Sequence, residues 1–297
     1  MVVEVKKLLG PRRTAVLKKR IKNFWYLYKS NKMGMIGLSI LLFFIFIAVF
    51  AHYIAPYDPY EFSRYVNAPP SWEHPLGTND AGQDIFSELI YGTRISLLVG
   101  FLAAFVSTFI GGSIGILAGY FKKLDGILMR ITDIFLVIPS FPLMILLAAY
   151  LGPSINTVIL VIGILSWPYT ARVIRSQVLS LRERTFVESA KVIGASDFYI
   201  LRAYILPNVM PLLFANMVLN VSGAIVSEAG LAFLGLSDVT YKSWGMILYF
   251  ARIRGGFIRG AYWWWVPPGL CIATVVLAFT LVGYALDEIL NPRLRKR

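Results

Sequence analysis

The sequence predicts an all-α integral membrane protein with six transmembrane helices and a helical loop between spans four and five. Three observations support this fold class. Hydrophobic residues make up 57% of the 297 residues, the mean hydropathy is +0.67, and only 15% of the residues are charged. Charge-free runs that match the roughly 20 residues needed to cross a bilayer recur along the chain. The net charge of +13 lies mostly between these runs and at the chain ends.

Five charge-free runs supply the six predicted spans. They cover residues 33–57, 95–121, 134–171, 203–227 and 260–286. The third run is too long for one crossing, and the turn signal LGPSIN at 151–156 divides it into two spans joined by a tight hairpin. The first run exceeds the roughly 7–15 apolar residues of a signal peptide, so we expect it to be a span.

Lys and Arg residues are divided unequally between the two predicted sides of the membrane. The two chain ends and the connections after spans two and four hold 23 of the 29 Lys and Arg residues. Because basic segments stay on the cytoplasmic side, both termini are predicted to be cytoplasmic. The connection after span one is then external, and its residues are acidic, with Asp84 and Glu88 at its end.

This arrangement divides the chain into four predicted parts. They are a basic cytoplasmic tail with an interfacial helix (1–32), span one with the acidic external loop (33–92), a core of spans two to six (93–290) and a cytoplasmic tail (291–297). The basic and aromatic first part indicates a helix lying on anionic membrane lipid rather than a segment that binds nucleic acid. A multi-pass chain of this kind is predicted to reside in the cell membrane.

Polar residues interrupt the apolar sequence between spans four and five, at RTFVESAKVIGASDFYILRAYILPN (184–208). Thr185 and Glu188 have the spacing of a capping box, which predicts that a helix begins there. Gly194 is a typical C-terminal stop, and Ser196 predicts the N-cap of a second helix. From these residues alone, two interpretations stay open: an element that docks into a partner, and an amphipathic loop that lies on the membrane.

This stretch resembles the EAA loop of ABC importer permeases, in which Glu-Ala-Ala is followed at fixed spacing by Gly and then by Leu-Pro. Ser189 replaces the first alanine, and Tyr204 stands where isoleucine is usual. The resemblance implies a cytoplasmic coupling-helix loop that sits in a groove of an ATPase subunit. The coupling residues it implies are Glu188, Ser189, Ala190, Gly194, Ala195, Ser196, Asp197, Leu206 and Pro207.

The resemblance extends over most of the chain. Segments similar to the dipeptide, oligopeptide and nickel branch of this family lie at 74–100, 119–146, 227–236, 244–248 and 267–295. They resemble the second, C-type permease of such importers. This implies a chain that forms half of a translocation pathway, with a homologous permease, two cytoplasmic ATP-binding subunits and an extracytoplasmic substrate-binding protein as partners. Di- and oligopeptides are the first substrate prediction, and nickel complexes or oligosaccharides are the alternatives.

The sequence lacks the motifs of enzymes. It contains no G-x-x-x-x-G-K-[ST] phosphate-binding loop, no metal-ligand spacing of His, Cys or Glu, and no Ser-His-Asp arrangement. We therefore predict no catalytic residue, no metal site and no cofactor in this chain, with ATP and Mg²⁺ bound by the partner ATPases. An integral-membrane enzyme and a stand-alone secondary transporter are weaker alternatives, because the spans offer few ionisable groups and no evident internal repeats.

Four residues inside the predicted spans are candidates for the substrate pathway. Glu228 lies near the predicted outer end of span five, and it either contacts substrate or is an interfacial group held by Arg or water. Pro139 and Pro142 interrupt span three and Pro168 interrupts span four, where they either shape the pathway or serve packing. Pro207 either ends the second helix of the loop or belongs to the first turn of span five.

Two further contacts are predicted from spacing. Arg130 and Asp133 are three residues apart near the start of span three, so we expect them to pair along one helix. The GGSIG run at 111–115 in span two is typical of close packing between helices.

Overall fold

The computed structural model describes residues 22–290, and these residues are helical apart from loops and one isolated antiparallel bridge between Thr78 and Asp84. The predicted tail at 291–297 and residues 1–21 lie outside the described part. The helices, in chain order, are α1 (22–30), α2 (Lys32–Val49), α3 (Ala51–Ile54), α4 (Ile85–Tyr120), α5 (Lys122–Val137), α6 (Ser140–Leu151), α7 (Ile155–Leu165), α8 (Trp167–Arg182), α9 (Thr185–Val192), α10 (Asp197–Ile200), a π-helical turn (Leu201–Ile205), α11 (Leu206–Phe233), α12 (Trp244–Ile253) and α13 (Tyr262–Leu290).

Within residues 22–290, four stretches are long and apolar enough to cross a membrane on their own: α2, α4, the continuous Asp197–Phe233 and α13. Two helix pairs pass the same test together, α5 with α6 and α7 with α8, and they are bent by 86° and 40°. Counting each bent pair as one crossing gives six, the number that the sequence predicts. The predicted hairpin at 151–156 is present, with Gly152 between α6 and α7.

Helices α4 and α8 pack closely through glycines of the GGSIG run. A Cβ atom on Gly111 would lie 2.5 Å from the Trp167 carbonyl oxygen, and one on Gly115 would lie 2.6 Å from that of Ala171. Such distances leave no room for a side chain, because real Cβ contacts are longer. The predicted close helix packing is therefore confirmed.

The start of α2, the end of α13 and the 185–206 segment lie at the same end of the helix bundle. Asn31 Nδ2 donates to Glu288 Oε2 at 2.8 Å, which joins the ends of α2 and α13. At this end α4 stops at Tyr120, whose hydroxyl donates to Asp197 at 2.6 Å. Arg182 donates to the carbonyl of Tyr120 at 3.1 Å and fixes the end of α8 there.

The opposite end is covered by the connections 55–84 and 234–261, which we call the loop layer. Asp84 caps α4 by accepting from Ser87 N at 2.8 Å, and its other oxygen lies 3.0 Å from His74 Nδ1. Glu88 accepts from Lys242 Nζ at 2.6 Å, and both side chains are buried. Asp84 and Glu88, at the end of the 55–88 connection, are thus buried and hydrogen bonded within the fold instead of exposed on its surface.

The predicted pairing of Arg130 with Asp133 along one helix is wrong. Asp133 instead pairs with Arg172 of α8 at 2.5 Å. Nearby, Arg175 of α8 donates to Asp125 of α5 at 2.6 Å. The reason is geometric. Helix α5 packs beside α8, so a carboxylate on the side of α5 that faces α8 pairs with a guanidinium of α8 instead of one on α5.

Candidate functional site

The 185–206 segment is a helix, a tight turn and a second helix. Helix α9 ends in a Schellman motif, in which Ala195 N–H donates to Ala190 O and Gly194 N–H donates to Lys191 O, both at 3.0 Å. Gly194 has φ +78°, a left-handed conformation that favours glycine. Ser196 then caps α10 by accepting from Tyr199 N at 3.3 Å. The stop and the second cap lie where the sequence predicts them.

The predicted capping box is wrong. The N-cap of α9 is Arg184, so Thr185 is the first helical residue, and no side chain caps this helix. A Thr185 cap would make Phe186 the first helical residue, so the helix begins one residue earlier than the prediction requires. Glu188 is then the fourth helical residue instead of the third, which is the position that a capping box needs. Glu188 is exposed and has no local hydrogen-bonding role of this kind.

The segment is anchored by a small apolar core at the bundle end. Val187 and Ala190 of α9 and Ile200 and Ile205 of the second helix are buried together with Tyr120 of α4. Phe198 is exposed, whereas Ile200 occupies the inner position. The segment is therefore held in a fixed orientation on the bundle.

Its outer surface is apolar and open. Val192 and Ile193 at the end of α9 are 86% and 83% exposed, and Phe198 is 71% exposed. Glu188 and Ser189 lie on the exposed side of α9. Exposed apolar residues gathered around a turn are typical of a surface that contacts another protein.

The second helix of the segment continues without a break into the bundle. Helix α10, the π-helical turn and α11 form one stretch from Asp197 to Phe233. Leu206 and Pro207 open α11 directly after the π-helical turn, so Pro207 lies where the hydrogen-bond pattern changes from π-helical to α-helical. Of the two predicted alternatives, Pro207 thus belongs to the start of span five.

A polar cavity of about 260 Å³ lies inside the bundle among α4, α6, α11 and the break between α7 and α8. We call it the polar cavity. Its polar lining residues are Ser107, Ser140, Ser166, Asn220, Ser222 and Ser227. Asn220 Nδ2 donates to the hydroxyls of Thr108 and Thr170 at 3.1 and 3.0 Å, so it also ties α11 to α4 and α8.

The three candidate prolines lie at the helix breaks beside this cavity without lining it. Pro139 is the N-cap of α6 at the 86° bend, and Pro142 follows in the first turn of α6. Pro168 is at the start of α8, at the 40° bend. Ser140 and Ser166, which line the cavity, are the residues next to these breaks.

Glu228 is buried between helices rather than in the polar cavity. It is 1% exposed and is not among the residues that line the cavity. By strict hydrogen-bond geometry neither carboxylate oxygen has a partner among the described residues. Its chain neighbour Ser227 lines the cavity, so α11 directs the two side chains to different surroundings.

Sequence reasoning missed the serines and Asn220 of the polar cavity. They carry no charge and form no spaced motif, and each is a single neutral polar residue in an apolar run. The signal that could have found them is the recurrence of such residues in several spans, as in FVSTF at 105–109 and LNVSG at 219–223. Polar groups inside a membrane span are costly unless they are paired or line a pathway.

Broken membrane helices around a polar cavity are typical of membrane transport proteins. The family model described as "Binding-protein-dependent transport system inner membrane component" matches residues 111–296, and that described as "N-terminal TM domain of oligopeptide transport permease C" matches residues 19–70. The chain belongs to this family of transport permeases. It is a multi-pass permease subunit and not an enzyme, and its resemblance to C-type ABC importer permeases is confirmed.

Similar proteins cover nearly the whole chain. The dipeptide transport system permease protein DppC of Haemophilus influenzae is 38% identical over 285 residues, which are 93% of this chain and 96% of that protein. The di/tripeptide transport system permease protein DppC of Pseudomonas aeruginosa is 36% identical, with 93% of each chain covered. A solved inward-facing structure of the MetNI methionine ABC transporter is similar in fold, with a TM-score of 0.54, 20% identity, and 70% of this chain and 97% of that chain covered.

Proposed function

We propose that this chain is the C-type permease subunit of an ATP-driven importer of di- and oligopeptides and that it forms half of the translocation pathway. The observation that carries the proposal is the 185–206 segment: a rigidly anchored helix-turn-helix with an exposed apolar surface, continuous with a membrane helix that reaches the polar cavity. The named activities of the dipeptide permeases that it resembles support peptides as substrate. Nickel complexes and oligosaccharides are the alternative cargoes.

The 185–206 segment is proposed to be the coupling element that docks on an ATPase subunit. Glu188, Ser189 and the exposed end of α9 would contact the ATPase. Gly194, Ala195 and Ser196 shape the turn, and the bond between Asp197 and Tyr120 holds it on the bundle. Ala190 is buried beneath it, and Leu206 and Pro207 begin the helix that would carry the motion inward.

The proposed assembly contains a homologous permease as heterodimer partner, two cytoplasmic ATP-binding subunits and an extracytoplasmic substrate-binding protein. The family to which this chain belongs works in general with ATPase and substrate-binding partners. ATP and Mg²⁺ would be bound by the ATPases, and this chain would hold no cofactor. The chain ends and the 185–206 segment would face the cytoplasm, and the loop layer would face outward from the cell membrane, with the N-terminal tail on lipid.

The proposal is tested by purifying the tagged chain from its native membrane in gentle detergent and identifying what accompanies it. We expect a second permease and two ATP-binding subunits by mass spectrometry. The purified complex, reconstituted with its substrate-binding protein, should import labelled dipeptides only with ATP. A chain that purified alone and transported in liposomes without ATP would be a secondary transporter, and import of nickel complexes or oligosaccharides in place of peptides would reassign the cargo.

A further inference from the structure

One side chain of the polar cavity is buried without a partner. Ser107 of α4 is 1% exposed, its hydroxyl makes no hydrogen bond within the described chain, and the residue is one of those that surround the cavity. An unpaired buried hydroxyl is costly, so a group that enters the cavity and hydrogen bonds to Ser107 would be stabilised there. The cavity is open to such a group on the side of Ser140, which is exposed.

The cavity also receives the N-terminus of a membrane helix. Helix α6 starts at Ser140 after the 86° bend and is 12 residues long. No side chain caps it, and Pro142 in its first turn has no N–H, so the amides of Ser140 and Phe141 are left without intrahelical partners. A helix N-terminus carries a partial positive charge of about half an elementary charge.

No charged side chain lines this cavity. Its polar lining consists of serine hydroxyls and the Asn220 side chain, and Ser140 among them is the first residue of α6. Neutral hydrogen-bond donors beside a helix N-terminus suit a single anion. Glu228 is adjacent in the chain to Ser227, but Glu228 itself does not line the cavity. Helix N-termini at broken membrane spans bind anionic substrate groups by this chemistry.

We propose that the polar cavity is a carboxylate subsite of the pathway, in which Ser107 and the first turn of α6 receive the C-terminal carboxylate of a peptide in transit. The assignment of the anion to a peptide rests on the function proposed above, whereas the preference of the cavity for an anion is independent of that function. The subsite accepts the one charged group that every unmodified peptide carries at its C-terminus, and so it leaves the side chains of the peptide unselected.

The anion preference is tested first, by a measurement that needs no transport. Cys271 is the single cysteine of the chain, so Cys271→Ser gives a background in which Ser140→Cys is the only thiol of this chain, and labelling is measured on this chain after the subunits are separated. In the intact complex, this thiol is modified with a negatively charged and, separately, with a positively charged methanethiosulfonate reagent. The ratio of the anionic to the cationic modification rate is then divided by the same ratio measured for 2-mercaptoethanol, a free thiol in solution. We expect the anionic reagent to be favoured about three- to thirtyfold, the effect of a helix terminus on two opposite charges. A normalised ratio of one or less would overturn the subsite.

The carboxylate is tested by transport. The reconstituted importer is supplied with its binding protein saturated with Ala-Ala or with Ala-Ala amide, occupancy being verified for each. We expect the wild type to import the free acid about tenfold faster, as for a lost hydrogen bond to a charged group. Ser107→Ala should reduce this preference toward one, while Ser113→Ala, an exposed serine on the same helix outside the cavity lining, should leave it unchanged.

The outcomes separate the subsite from the proposed function. Ser107→Ala removes an unpaired hydroxyl, so the fold should tolerate it. An undiminished preference in this variant would overturn the role of Ser107, and Ser107-dependent import of an amidated peptide with a Glu side chain would overturn the C-terminal assignment. If the wild type imports no peptide at all, the proposed function fails, and the thiol-modification ratio still decides whether the cavity prefers anions.

Discussion

Replacing Gly194 by arginine should detach the ATPase subunits while leaving the permease folded. Gly194 has φ +78°, and a Cβ atom there would meet nothing within 4 Å, so the backbone conformation is the only folding cost. For a non-glycine residue this cost is about 1–2 kcal/mol. If the turn is buried against a partner, the arginine also places an unpaired charge in that interface, which costs about 3–5 kcal/mol and weakens binding at least about hundredfold.

Gly255 offers a matched control at the opposite end of the molecule. It also follows a helix in a Schellman motif, with Gly256 N–H donating to Ala251 O at 2.8 Å, and it has φ +80°. A Cβ atom on Gly255 would meet only Arg259 Nε, at 3.7 Å, which is an ordinary contact. Gly255→Arg therefore imposes the same backbone cost in the loop layer, away from the 185–206 segment.

The assay is co-purification of the ATP-binding subunits per permease, together with the thermal unfolding midpoint of each variant. We expect similar midpoints for the two variants, loss of the ATPases from Gly194→Arg and their retention by Gly255→Arg. Gly194→Asn should fall close to wild type, because asparagine tolerates the left-handed region. Full ATPase retention and normal transport by Gly194→Arg would refute the coupling role of the segment.

Three further predictions concern stability. Lys242→Met leaves the buried Glu88 carboxylate without its cationic partner, with Asn79 Nδ2 still donating to it, so the thermal midpoint should fall by an amount equivalent to about 3–5 kcal/mol. Adding Glu88→Leu should recover part of this loss, and no recovery would contradict the buried pair. Arg172→Ala breaks an ion pair whose side chains are 53% and 56% exposed, so chemical denaturation should register less than about 1 kcal/mol, a change that high salt abolishes. Gly115→Leu should separate α4 from α8 and lower the yield of folded protein in a size-exclusion assay, because even its Cβ would lie 2.6 Å from the Ala171 carbonyl; an unaltered yield would contradict the close packing.

The elements that the sequence predicts well are those set by local chemistry. The apolar runs became helices because length and hydropathy suffice to define them. Gly194 and Ser196 lie at the turn where they were expected, since a positive φ and a capping hydroxyl are demands of the backbone within a few residues. The hairpin near Gly152 belongs to the same class, because Gly, Pro and Ser together define a turn.

The features that sequence reasoning missed depend on how helices meet. The 86° bend at Pro139 turns α5 away from α6, and no pattern along the chain gives an angle. Asp133 therefore forms an ion pair with Arg172 on another helix, although Arg130 is nearer in sequence. The polar cavity escaped notice for the same reason, because residues such as Ser107 lie far along the chain from the other residues that surround it.

Helix α11 gives a physical connection between the exposed segment and the cavity. The stretch that starts at Asp197 is a continuous helix, and Asn220 lies 23 residues further on, roughly 35 Å away at 1.5 Å per residue. Asn220 bonds Thr108 of α4 and Thr170 of α8 and also lines the cavity. A displacement of the Asp197 end that was transmitted along this helix would strain these two bonds unless α4 and α8 moved with α11. If the proposed coupling role holds, motion of the 185–206 segment would therefore change the cavity.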